Sequence, residues 1–144
     1  MKKPTVLLTP GPTPLPPQVR EALARPIVHH RTAQYRQIFT RTLQGMQTVM
    51  QTSQPIMCLT SSGTGAMEAA VVNLLSPGDE AIVVLGGKFG ERWRHLCEAY
   101  QIRAVTVPVP YGEAADPRKV AGALKAHPKA KAVFATLCET STGV

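Results

Sequence analysis

Apolar positions along this chain change their spacing near residue 52. Upstream, Tyr35, Ile38, Phe39, Leu43, Met46 and Met50 recur at intervals of three and four. That spacing predicts a long helix from Thr32, its cap, to about Gln51, with one apolar stripe. Downstream, short apolar runs alternate with helical stretches. PIMCLT (Pro55–Thr60), EAIVVLGG (Glu80–Gly87), RAVTVPV (Arg103–Val109) and KAVFATLCE (Lys131–Glu139) read as strands. Between them, AMEAAVVNLL (Ala66–Leu75), ERWRHLCEAYQ (Glu91–Gln101) and DPRKVAGALKAH read as helices. The last of these places Asp116 as N-cap and Pro117 at the first helical position. Pro108 lacks an amide donor, which puts its strand near a sheet edge. The order βαβαβαβ predicts an α/β fold, a mostly parallel sheet with helices on both faces.

The first thirty-one residues follow other rules. Thr5–Thr9 reads as a short extended piece, and the prolines of PGPTPLPP hold the backbone in extended and turn conformations. PQVREALA (Pro17–Ala24) is a short helix that RPIVHHR ends. Residues 1–31 are therefore expected to form an arm with a short helix, and 32–144 a partial αβα domain. The final CETSTGV has just left a strand, so the expectation is a domain truncated before its sheet is complete.

Composition narrows the function classes. The 144 residues carry 16 Lys and Arg against 9 Asp and Glu, a formal charge of +7. The basic residues are scattered. The densest groups, Gly90–His95 and Lys125–Lys131, lack the aromatic interleaving of a single-strand binder. They read as solvated surface rather than a nucleic-acid site. Cys58, Cys97 and Cys138 form no CxxC pair and sit in apolar runs. They read as buried thiols in a reducing compartment, with neither a disulfide framework nor a metal cluster. No apolar run reaches membrane-spanning length, and VLL near the N-terminus is too short for a signal-peptide core. The expectation is a cytoplasmic protein away from membranes.

The chemistry concentrates at the ends of the strands. Ser61–Ala70 reads SSGTGAMEAA, glycines and hydroxyls running into a helix. Helix N-termini present unpaired amides and a partial positive charge, which suits a phosphate. The stretch has no lysine for a P-loop, and Glu68 occupies the third glycine position of a dinucleotide fingerprint. The bland reading is a helix start capped by Thr64 with no ligand. Two neighbouring exits bear on the choice. LGGKFGERW sets Phe89 between glycines, suited to stacking on a flat ring, and ETSTG supplies further hydroxyls. Ligands of open parallel sheets bind beyond the carboxyl ends of the strands. Phosphate donors, a stacking ring and hydroxyls at consecutive exits describe a site for a phosphorylated planar heterocycle.

LLTPGPTPLPPQV, HHR, SSGTGAMEAAVVNLLSPGDEAIVVLGGKFGERW and ETSTGV together resemble the N-terminal part of the class V aminotransferases. The resemblance is greatest to the serine–pyruvate / alanine–glyoxylate branch. It implies fold type I of the pyridoxal-phosphate enzymes, the large domain of a homodimer with shared active sites, and pyridoxal 5'-phosphate as cofactor. Carried over by residue, it implies that Ser62, Gly63 and Thr64 hold the phosphate. Phe89 takes the place of an aromatic on the pyridine face, commonly tryptophan, and Thr140 lies near the ring's 3-oxygen. Gly11 and Pro12 belong to a loop bordering the substrate.

The same resemblance puts the aspartate on the ring nitrogen, the lysine that holds the cofactor covalently and the substrate-gripping arginine beyond residue 144. No residue of this chain is then catalytic, Lys88 faces solvent, and the chain alone does not transaminate. The parent reaction would move an amino group from serine or alanine to glyoxylate or pyruvate, with amino acids and 2-oxo acids as partners. Rival readings are cysteine desulfuration or phosphoserine transamination on the same scaffold, or a non-catalytic short protein or partner subunit.

Overall fold

The computed structural model describes residues 7–144. They divide into two compact units, the first ending at Cys58 and the second beginning at Leu59. Part of the extended piece expected at Thr5–Thr9 lies outside the described residues.

The described residues of the first unit form two helices, α1 (Pro17–Leu23) and α2 (Ala33–Val49). Proline opens α1, where a missing amide costs nothing. Thr32 caps α2 as its sequence predicts, its Oγ1 accepting from the Tyr35 amide at 3.2 Å. Tyr35 and Phe39, one turn apart, stack with ring centroids 5.9 Å apart. The apolar stripe is present, yet no residue of α1 or α2 is buried.

The second unit runs α3 (Gly63–Leu74), β1 (Glu80–Leu85), α4 (Lys88–Ala99), β2 (Arg103–Pro108), α5 (Pro117–Ala126) and β3 (Ala130–Phe134). The three strands form a parallel sheet in the order β2-β1-β3. β1 runs down the middle and its Ala81–Val84 are buried, because both of its faces are covered. β2 is an edge strand, as Pro108 requires. Residues alternate between faces along a strand. Ala81 and Val83 therefore join Val71, Leu75, Cys97, Ile102 and Phe134 in one core cluster, and Ile82 and Val84 point to the opposite face. The crossovers β1-α4-β2 and β2-α5-β3 travel in opposite directions across the sheet, so right-handed connections put α4 and α5 on opposite faces. Asp116 caps α5 through the Arg118 amide at 2.8 Å.

Three expectations are corrected. Pro55–Thr60 forms no strand. Its apolar run has no ladder partner among the described residues, and apolarity alone does not pair a backbone. Of the cysteines only Cys97 is buried. Cys58 lies in that unpaired run and Cys138 in the turn after β3, which ends at Phe134 rather than Glu139, so both are exposed. Finally, α3 and α4 start three residues earlier than expected, at Gly63 and Lys88. Phe89 therefore sits in the first turn of a helix, not in a loop.

No helix among the described residues is long and apolar enough to cross a membrane.

Candidate functional site

Two helix N-termini, those of α3 and α4, stand with the turn after β3, and side chains tie all three together. α3 starts where it does because Ser62 caps it. The Ser62 backbone is extended, and its Oγ accepts from the Thr64 amide at 3.3 Å. The cap is thus Ser62 and not Thr64, which the ligand-free alternative would have used. The Gly65 amide bonds the Ser62 carbonyl at 3.0 Å, and among the described residues nothing accepts from the Gly63 amide. Ser61, Ser62 and Gly63 are exposed and Thr64 is half-buried. Gly65 is required sterically, since a Cβ there would stand 2.7 Å from the Ser61 Cβ.

The start of α4 is built differently. Its N-cap is Gly87, which has no side chain to offer. The acceptor comes from a residue some fifty positions along the chain. The Glu139 carboxylate, 5% exposed, accepts from the Phe89 amide at 3.0 Å and the Gly90 amide at 3.1 Å. It also accepts from the Ser141 hydroxyl at 2.5 Å. Ser141 Oγ in turn accepts from the Lys88 amide at 3.0 Å. A Cβ on Gly87 would stand 2.5 Å from the Glu139 Cδ, so only glycine lets this carboxylate in. Gly90 lets α4 approach β1, since a Cβ there would meet the Val84 carbonyl oxygen at 2.7 Å. Burial pushes the Glu139 carboxyl up. The donors at Ser141, Gly90 and Phe89 outweigh that and hold it below the usual carboxylate range.

Arg92 links the two helices. Its Nη1 donates to Thr64 Oγ1 at 2.8 Å, and its guanidinium carbon lies 5.0 Å from the centroid of the Phe89 ring. The predicted residues Ser62, Gly63, Thr64 and Phe89 are thereby gathered in one place. Thr140 lies in the turn after β3 but is exposed, and the contacts of that turn are made by its neighbours Glu139 and Ser141. Gly11 and Pro12 belong to the first unit. There the peptide between them is cis and the Thr9 hydroxyl donates to the Pro12 carbonyl at 3.0 Å.

Lys88 points away, as its sequence context predicts. Its ammonium bonds Glu91 at 2.8 Å with the side chain 68% exposed. That bond to Glu91 pushes its pKa up, the wrong direction for a nucleophilic amine. Among the described residues no group of three or more His, Cys, Asp or Glu is placed to hold a metal ion.

Sequence reading passed over Arg92, Glu139 and Ser141. For Arg92 a signal existed: it lies three residues after Phe89 on a helix and so shares its face. For Glu139 the only signal was an acid at a strand exit otherwise made of small and hydroxyl residues.

Comparison with known proteins bears on the family and the fold. Residues 5–144 match the family described as Aminotransferase class-V. The chain is 38% identical over its whole length to the small subunit of a soluble hydrogenase from Synechococcus sp., covering 38% of that protein. It is 33% identical to an L-aspartate–glyoxylate aminotransferase from Paracoccus denitrificans, with 96% of this chain and 36% of that protein aligned. Among solved structures, the alanine–glyoxylate aminotransferase of Nostoc sp. superposes with a TM-score of 0.88 at 30% identity, over 99% of this chain and 38% of the other. The chain thus spans under two-fifths of the length of these relatives. With its fold that of the pyridoxal-phosphate aminotransferases and its sequence matched from residue 5 onward, the chain belongs to the class V aminotransferases, a family of enzymes whose cofactor is pyridoxal 5'-phosphate.

Proposed function

We propose that this chain is the cofactor-cradling N-terminal part of an aminotransferase that moves an amino group from serine or alanine to glyoxylate or pyruvate. The observation that carries the reading is the convergence of an open helix N-terminus at Ser62–Thr64 with the Phe89 ring, joined through Arg92. A phosphorylated heterocycle needs both parts, anion donors at one end and an aromatic face at the other. The names of relatives acting on glyoxylate, from Paracoccus and Nostoc, support the choice of 2-oxo acid.

In this reading Ser62, Gly63 and Thr64 hold the cofactor phosphate by their hydroxyls and the Gly63 amide. Phe89 lies against the ring, Thr140 serves the ring's 3-oxygen, and Gly11 and Pro12 border the substrate. When bound, the cofactor supplies the electron-withdrawing ring that carries the amino group between substrates. The residues of this chain bind and orient it, and Lys88, held by Glu91, takes no covalent part. Residues 32–144 belong to the cofactor-binding domain and 1–31 to an arm. The working enzyme is a cytoplasmic homodimer, and the chain by itself does not transaminate.

A partner-subunit reading has one observation in its favour, the hydrogenase-subunit names of relatives from Synechococcus and Anabaena.

The test is titration of pyridoxal 5'-phosphate into the chain while the backbone amides are followed by NMR. Saturable shifts at Ser62, Gly63, Thr64 and Phe89 are expected. A folded sheet with none of these amides moving at millimolar cofactor would end the cofactor reading and leave the partner-subunit one.

A further inference from the structure

The phosphate turn contains no lysine or arginine, so its charge and the aim of its hydroxyls must come from elsewhere. We infer that Arg92 is a positioning residue for the cofactor phosphate: it turns the Thr64 hydroxyl into a pre-aimed donor and locks that aim to the Phe89 ring. The inference rests on the cofactor reading given above.

The argument is one of donor and acceptor accounting. A hydroxyl has one proton to give and lone pairs to receive, whereas a guanidinium only gives. With Arg92 Nη1 donating to Thr64 Oγ1 at 2.8 Å, the Thr64 proton cannot point at Arg92. It must serve another acceptor, and the described residues provide none. Ser62 is in the same condition, its Oγ already accepting from the Thr64 amide. Two hydroxyl protons and the Gly63 amide are thus left as donors at one helix start. That suits an acceptor-only group such as a phosphate.

Arg92 also has reason to stay in place. Its guanidinium lies 5.0 Å from the Phe89 centroid, within cation–π range. It is always charged, so it adds a fixed positive potential beside a turn that otherwise has only partial charges. One side chain therefore fixes both the distance between the phosphate donors and the stacking ring and the direction of one donor. Lysine could supply charge and a hydrogen bond, but not a plane laid over Phe89.

The test compares affinities for pyridoxal 5'-phosphate and for pyridoxal, which lacks the phosphate. It uses the wild-type chain, Arg92→Gln, Arg92→Lys, Thr64→Val and the double variant Arg92→Gln/Thr64→Val. Arg92→Gln is expected to weaken pyridoxal phosphate about tenfold and pyridoxal less than about twofold, the usual size of a lost charge-assisted hydrogen bond. Arg92→Lys should recover only part of the loss, since lysine restores charge and a hydrogen bond but not the contact over Phe89. The double variant should lose clearly less than the product of the two single effects, because Arg92 acts mainly through that hydroxyl.

Equal loss for both ligands in Arg92→Gln and Arg92→Lys would make Arg92 a plain cross-tie between helices and overturn the inference. So would full multiplication of the two single effects. If the wild type does not prefer the phosphorylated ligand, the cofactor reading itself fails and takes this one with it. If the wild type prefers it and Arg92→Gln keeps the same ratio of the two affinities, only the role of Arg92 fails.

Discussion

The N-termini of α3 and α4 pose the same electrostatic problem and solve it in opposite ways. Each helix opens with amides that its own turns cannot use. α4 takes a buried carboxylate from its own chain, and Glu139 fills the position through the gap left by Gly87. α3 takes only a neutral serine, leaves the Gly63 amide open, and lies exposed beside an arginine. A helix start with an internal anion has no further appetite for one. A start surrounded by exposed donors and a nearby cation does. In the reading proposed above, the α3 start is the one left for a guest. The contrast also shows how Phe89 is fixed, since its backbone is held by the anion that closes the other site.

Removing the internal anion should have the largest effect. Glu139→Ala leaves the buried Gly90 amide, the half-buried Phe89 amide and the Ser141 hydroxyl without their acceptor. It should cost about 3 kcal/mol of stability, from the usual cost of stranding buried donors of a charged group. Urea denaturation would measure it, and a loss under about 1 kcal/mol would mean the carboxylate is merely tolerated. Gly87→Ala attacks the same arrangement from the other side by pushing a methyl into the carboxylate. Overpacking of that kind costs ~2 kcal/mol, and no measurable loss would mean the turn simply moves aside.

Acid reaches the same interaction gradually. Glu139 is held below the usual carboxylate range in the folded chain. Its contribution is therefore complete above the ordinary carboxylate pKa and drains away as pH falls below it toward the folded value. Asp79, Glu91 and Asp116 are held low as well, Asp79 by Lys131, Glu91 by Lys88 and Asp116 by Arg118. Their contribution falls in the same window, so the useful quantity is a difference. Stability of the wild type minus that of Glu139→Gln should shrink as pH drops through that window, and a pH-independent difference would contradict the assignment.

The α3 start should respond least to mutation and most to ligand. Ser62→Ala removes an ordinary cap and should cost about 1 kcal/mol, clearly less than Glu139→Ala. Pyridoxal phosphate at ten times its dissociation constant should stabilise the wild type by ~1.4 kcal/mol through mass action. If Ser62→Ala were as damaging as Glu139→Ala, the two helix starts would not differ in the way described.

Much of this was legible in the sequence. The change from helical to strand spacing gave the alternation of β1, α4, β2, α5 and β3, and Thr32 and Asp116 marked their helices because capping is a local transaction. Glycines and hydroxyls at Ser61–Gly65 marked the open helix start for the same reason. What stayed hidden was long-range. Glu139 reaches amides 49 and 50 positions earlier, and Arg92 reaches a hydroxyl 28 positions earlier. No window of sequence shows that such groups will meet. Pro55–Thr60 failed for the complementary reason: an apolar run states that a segment can be covered, but its partner is decided elsewhere in the chain.

Trp93 gives this region an optical consequence. It is the chain's single tryptophan, it follows Arg92 directly on α4, and its indole lies nearly parallel to the Phe134 ring, 4.6 Å between centroids and 10° between planes. All indole emission from the molecule therefore originates one helical turn from Phe89, on the helix that the Glu139 carboxylate seats. The emission maximum and lifetime report whether α4 is docked. A pyridoxal chromophore that absorbs where indole emits would register its arrival as energy transfer, with no label attached.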